Sequence, residues 1–249
     1  MSCIRSRGFH PVFFPTLNLV EPHKQVNAAE AALLPVEPTK EEYFQVPWKR
    51  LFTSRTVWYL CGQYFACSYS FYFFITWFPT YLLKVRGFDL KQSALLAGAP
   101  LFVGALGSLF AGWIIPSLGR ALGDVGKARR GVGAAGAAGG AALLVAISWI
   151  ANPYVAVVAI ALVAFCNDSQ MPGAWTACMD VGGKTVATLF GNMNMMGNIG
   201  GFVSSIACGY IVQWTQNWNL AFYVTAALYT GGIFCWLATD PVTPLEEQT

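Results

Sequence analysis

The polar side chains capable of chemistry in this sequence are few, and their positions are informative. Gln63 lies in a run dominated by rings, from Trp58 and Tyr59 to Trp77 and Tyr81. Tyr59 and Gln63 are four residues apart, so on a helix they share a face. An amide in an aromatic wall can hydrogen-bond a hydroxylated ligand while the rings cover its carbon skeleton. It can equally bond a neighbouring helix. Asp168 stands in the run Asn167-Asp168-Ser169-Gln170, ahead of Pro172, Gly173 and Trp175. A carboxylate at membrane depth costs about 2.5–3.5 kcal/mol on insertion scales, so it should face the bundle or a water-filled path. There it can carry a proton, bind a cation or pair with a donor. Pro172 loosens the helix and frees carbonyls. Asn192, Asn194 and Asn198 share one apolar stretch, with Asn194 and Asn198 on one face. Each amide needs partners once it leaves water. Substrate hydroxyls, a carboxylate or neighbouring helices can supply them.

Other chemistry is absent from the pattern. The two histidines, His10 and His23, fall in the N-terminal segment, and the seven cysteines form no CxxC pair. There is no metal-ligand cluster, GxSxG or P-loop, so no enzyme, cofactor or metal is expected. A net charge of +3, scattered along the chain, does not point to nucleic acid.

The elements that must hold these residues are membrane helices. The chain of 249 residues is 55% apolar and only 11% charged, against about 25% charged in soluble domains. Residues 92–118 and 131–167 carry no charge at all. About 20 apolar residues cross a hydrocarbon core of about 30 Å, and backbone groups in lipid must pair within their own segment. Six helical spans are predicted, at 56–83, 92–116, 132–150, 153–177, 186–212 and 218–238. Arg86-Gly87-Phe88-Asp89, residues 119–130, Asn152-Pro153, residues 180–184 and Gln216-Asn217 separate them. Gly104, Ser108 and Gly112 form one ladder of small residues, and Gly197, Gly201, Ser205 and Gly209 another. Spacing of four lets backbones approach closely on one face.

Residues 1–55 read as a cytoplasmic tail or linker, with a short helix at 26–34 capped by Asn27 and Glu30. Residues 56–240 form the transmembrane domain and 241–249 a cytoplasmic C-terminal tail. The first residues lack an apolar core, so no cleavable signal peptide is expected. With the N-terminus inside, twelve Lys/Arg fall on inner segments and three (Lys84, Arg86, Lys91) on outer ones. That bias places both termini in the cytoplasm of a cell (inner or plasma) membrane.

Several motifs carry a family resemblance. Phe74-Ile75-Thr76-Trp77-Phe78-Pro79-Thr80-Tyr81-Leu82 resembles the seventh helix of anion:cation symporters in the major facilitator superfamily. Cys178-Met179-Asp180-Val181-Gly182-Gly183-Lys184 and Met193-Asn194-Met195-Met196-Gly197-Asn198-Ile199-Gly200-Gly201 are similar to later parts of that pattern. Residues 21–30 look like the family's central cytoplasmic loop. The likeness covers about 20–245 and implies the C-terminal six-helix half of a twelve-helix fold. By this resemblance the protein is a proton-coupled symporter of sugar acids such as hexuronate, glucarate or galactonate, working by alternating access. Gln63, with Tyr59 on its face, and Asn194 and Asn198 would hold the sugar acid. Trp175 would border the same cavity, and Asp168 is a coupling candidate. The partners implied are an organic anion, a proton, the bilayer, and an N-terminal half or a second copy. The alternative is a truncated, non-transporting half or a partner-binding membrane protein. One departure concerns the loop after the second span, where the family carries an Asp near the start. Gly112-Trp113-Ile114-Ile115-Pro116-Ser117 has none.

Overall fold

The computed structural model describes Trp48–Glu247, and within that range the chain is helical with no strand. A six-residue helix α1 (Trp48–Thr53) precedes α2 (Arg55–Lys84), a 30-residue span. Then follow α3 (Leu90–Leu96), α4 (Ala99–Leu122), α5 (Val125–Ile147), α6 (Pro153–Asp168), α7 (Met171–Gly182), α8 (Val186–Thr215) and α9 (Trp218–Ala238). The helix expected at 26–34 lies outside the described residues.

These helices make six membrane-length columns, because α3 runs on into α4 and α6 into α7. Length and hydropathy mark Leu90–Leu122, Val125–Ile147, Pro153–Thr215 and Trp218–Ala238 as able to span. The stretch Pro153–Thr215, at 63 residues, is far longer than one crossing of about 20 residues. It folds back at Gly183, whose φ of 48° is the left-handed region that suits glycine. As a result Ala177, Cys178 and Val181 before the turn pack with Leu189 and Met193 after it. Tyrosines and tryptophans lower the hydropathy of α2, although its length suffices.

The ends follow local chemistry. Asp89 and Gln92 form a capping box at α3, and Asn152 caps α6 ahead of Pro153. Asn217 caps α9. Arg86 donates to the Tyr81 hydroxyl at 2.7 Å and to the Ile150 carbonyl at 2.6 Å, tying the turn after α2 to the end of α5.

The third span differs from expectation. Residues 119–130 are not a loop: α4 continues to Leu122 and α5 starts at Val125, seven residues earlier than the predicted 132. Asp124 caps the new start, accepting from the Lys127 amide at 2.9 Å. That backbone bond, with the Lys127 ammonium 3.3 Å away, holds the Asp124 carboxyl below the usual carboxylate range. A folded-state value below the unfolded one means the cap stabilises fully above about pH 4 and fades as pH falls through the lower folded value. Below about pH 4, the thermal midpoint of wild type should therefore fall more steeply than that of Asp124→Asn, which caps without titrating. Thermal scans in detergent across that window measure it.

Small residues set the closest packing, as expected, but with one change of register. On α8, Gly197 lies against Tyr64 and Ser68, Gly201 against Tyr72, and Gly209 against Trp77 of α2. Trp77 also donates to the Ser205 carbonyl at 3.2 Å. On α4, Gly112 faces open space. The tight contacts there are Gly104, against the Asp168 carboxylate, and Gly107, which abuts the Phe165 carbonyl of α6.

Residues beyond α9 also pack. The Leu245 amide donates to the Val181 carbonyl at 2.8 Å, and Leu245 is buried with Leu51, Leu60 and Leu189.

Candidate functional site

The main polar construction in the bundle interior surrounds the break between α6 and α7. Pro172, in the first turn of α7, has no amide hydrogen to continue the ladder. Ser169 and Gln170 fall in the gap, and the groups around it are satisfied from other helices. Ser108 of α4 donates to the Asp168 carbonyl at 3.0 Å. The Tyr229 hydroxyl donates to Asn167 Oδ1 at 2.6 Å, and Asn167 Nδ2 donates to Asp168 Oδ1 at 2.9 Å. Trp236 Nε1 donates to Gln170 Oε1 at 2.9 Å. Asn167, Gln170, Tyr229 and Trp236 are all at most 1% exposed. Glycines make room: Gly133 for the Trp236 indole, Gly136 for the Cys166 carbonyl and Ser169, and Gly104 for Asp168 Oδ2.

Asp168 faces a cavity of about 270 Å³ between α2, the turn from α3 to α4, and α6. Its walls include Phe71, Phe74, Ile75, Pro79 and Leu101, and Asp168 is the one charged residue lining it. The carboxylate thus has one amide donor on Oδ1, a glycine against Oδ2, and apolar walls in front.

The residues proposed from sequence differ in burial, and the hydrogen bond between two of them joins Asn198 to Asn194. Gln63 is fully buried; Cys67 Sγ lies 3.9 Å from its Oε1, and its Nε2 has no hydrogen-bond partner among the described residues. Tyr59 is half-buried. Trp175, Asn194 and Asn198 are exposed at the surface of this bundle. Asn198 Nδ2 donates to the Asn194 carbonyl at 3.0 Å, which leaves the Asn194 amide and Asn198 Oδ1 open. Tyr229 and Trp236 were missed by sequence reasoning, and Gln170 was marked only as part of the polar run around Asp168. A signal was present, since Tyr229 and Trp236 are seven apart and so lie on one face of α9, where each polar ring atom needs a partner.

A second polar set closes the end where α7 terminates. Arg129, 8% exposed, bonds Asp180 Oδ2 at 2.6 Å and the Pro241 carbonyl at 2.7 Å, both through Nη1. The basic residue of this region thus finds its acid on α7, although no Asp stands near the start of the region in sequence.

Six membrane-length columns built on glycine ladders, with a broken helix pinned at mid-chain, narrow the choice of fold. The sequence profile described as Major Facilitator Superfamily matches residues 11–205. The chain belongs to the Major Facilitator Superfamily. As a member of that superfamily it supplies half of the fold, and its relatives are anion transporters. It is 30% identical over 200 residues to the "Probable sulfoacetate transporter" of Cupriavidus necator, covering 80% of this chain and 46% of that protein. It is 32% identical over 185 residues to the "Probable galactarate/D-glucarate transporter" of Escherichia coli, covering 71% and 40%. To the chloroplastic ascorbate transporter of Arabidopsis thaliana it is 29% identical over 200 residues, covering 79% and 36%. The chain therefore spans less than half the length of each of these relatives.

Proposed function

We propose that the chain is one six-helix unit of a proton-coupled, alternating-access transporter of organic anions, with sugar acids as the substrate class. The observation that carries this is the outward-facing pair Asn194 and Asn198. Both sit within the 30-residue span α8, and both are exposed on this bundle. Lipid cannot satisfy an amide, so that face must meet water, substrate or another protein surface. Amides suit hydroxyl-rich, carboxylate-bearing substrates, and the galactarate/D-glucarate named for the Escherichia coli relative is such an anion.

The charge distribution says what this unit lacks. In the described chain, Lys and Arg occupy only the ends of the columns, leaving Asp168 as the interior charge. An anion held between amides needs a positive partner, and here the second unit would supply it, whether an N-terminal half or another copy. Asp168, facing an apolar cavity, takes the proton. The end of the bundle that holds α1, Arg129 and Lys184 carries eight of the described Lys/Arg, against three at the other end. This bias orients that end toward the cytoplasm of a cell membrane, with both chain termini there.

The test is uptake of labelled glucuronate, galactonate and glucarate into vesicles under an imposed pH gradient. The chain is assayed alone and with a co-expressed N-terminal six-helix half. Uptake should appear in at least one arrangement, and Asn194→Ala should raise KM about tenfold, the worth of one substrate hydrogen bond. Gln63→Ala, at a buried position, reports whether that amide swings into the path during transport. Absence of uptake in both arrangements would identify a non-transporting bundle instead.

A further inference from the structure

We propose that α1 and the start of α2 form a binding surface for anionic phospholipid headgroups. Helix α1 is held in place by one side: Leu51 is fully buried, in the cluster that includes Val57, Leu60, Val181 and Leu245. The Trp58 indole hooks the same segment by donating to the Phe52 carbonyl at 2.9 Å. The other side is displayed. Trp48, Phe52 and Trp58 are each about half exposed, and Trp48 stacks on Phe52 with centroids 6.0 Å apart and planes 18° apart. Lys49, Arg50 and Arg55 are exposed beside them. The ion pairs among the described residues are Lys127–Asp124 and Arg129–Asp180, so these three cations are unmatched there.

This combination fits one partner. A short helix with a buried apolar anchor, interfacial rings and unmatched cations lies at the boundary of headgroups and acyl chains. A zwitterionic headgroup gives three cations little net attraction. An anionic phosphate diester gives each one a counter-charge and a hydrogen-bond acceptor. The indoles seat at the glycerol level, which brings Lys49, Arg50 and Arg55 to the depth of the phosphates. Because Leu51 is buried in the same cluster as Val181 of α7 and Leu189 of α8, bound anionic lipid would also brace that end of the bundle.

The test reads lipid selectivity rather than uptake, so its failure is separable from failure of the transport reading. The full chain is reconstituted in vesicles, and tryptophan quenching by brominated phosphatidylglycerol is compared with quenching by brominated phosphatidylcholine. Wild type should prefer phosphatidylglycerol. Removing one engaged cation should reduce that preference by up to about fivefold, and Lys49→Gln/Arg50→Gln should bring it close to parity. The matched variant Arg120→Gln/Lys184→Gln, which removes two exposed cations elsewhere at the same end, should leave it unchanged. Raising the salt to about 1 M, where the Debye length is about 3 Å, should weaken it. Equal quenching by both lipids in wild type overturns the proposal. So does an equal loss in the two double variants, which would make the effect one of total charge.

Discussion

Gly107→Val should be the most damaging single substitution in the bundle, lowering stability by about 3 kcal/mol, at the upper end of overpacking costs. Gly107 is buried, and any Cβ there would meet the Phe165 carbonyl of α6. That obstacle is backbone, so no rotamer change relieves it. Either α4 moves away from α6 or α6 distorts next to its break. Both responses reach Asp168, because Gly104 one turn earlier on α4 receives its carboxylate and Ser108 donates to its carbonyl. Apolar burial drives little helix association in a bilayer, so loss of close backbone packing is not repaid by extra methyl groups. The comparison is Gly112→Val, where the added carbon meets nothing within 4 Å. Size-exclusion profiles after graded heating in detergent should show a large loss for the first and almost none for the second. Equal behaviour would mean that this helix pair is not held by close approach.

The two glycines also show what sequence can and cannot resolve. Both sit in apolar sequence on one helix, and spacing of four selects Gly104, Ser108 and Gly112. The observed contact face instead runs through Gly104, Gly107 and Ala111, all buried. A helix has 3.6 residues per turn, so steps of three and four both stay near one face. Only the partner helix decides between them.

The six spans were legible because their ends carry local chemistry. Gly87 takes a positive φ, Asn152 caps ahead of proline, and Asn217 caps α9. The start of α5 was not legible for the opposite reason. Lys127, Arg129 and Arg130 look like loop residues in an apolar chain, yet at a membrane boundary long basic side chains extend to polar partners from within a helix. Arg129 does so by reaching Asp180 and the Pro241 carbonyl, 51 and 112 positions away. The same limit applies at the break. Pro172 announced the interruption, while the groups that satisfy it stand on α4 and α9. Gln63 marks the boundary in another way: its type and aromatic setting suggested a ligand contact, but which wall it faces depends on α8 and α9 closing over α2.

Asp168→Asn should uncouple transport from the proton gradient while leaving the bundle intact. The substitution is close to isosteric. The new side-chain oxygen can still accept from Asn167 Nδ2, and Gly104 leaves the space that the second atom needs. What is lost is the charge and the ability to gain and lose a proton. In the present state the carboxylate faces Phe71, Phe74 and Leu101, with no cation lining the cavity. On its other side is the Asn167 amide, itself held by the Tyr229 hydroxyl. A fixed charge in such a place costs about 2.5–3.5 kcal/mol, so opening the cavity to water and closing it to the apolar walls favour different protonation states. That alternation is what a coupling site requires, since the proton must bind in one conformation and leave in the other. The expected result is a fall of about tenfold in the stimulation of uptake by an inward proton gradient, with substrate exchange at equal pH retained and the thermal midpoint little changed. Full gradient-driven uptake in the variant would assign Asp168 to holding the α6–α7 break alone. Loss of exchange together with coupling would place it in the substrate path instead.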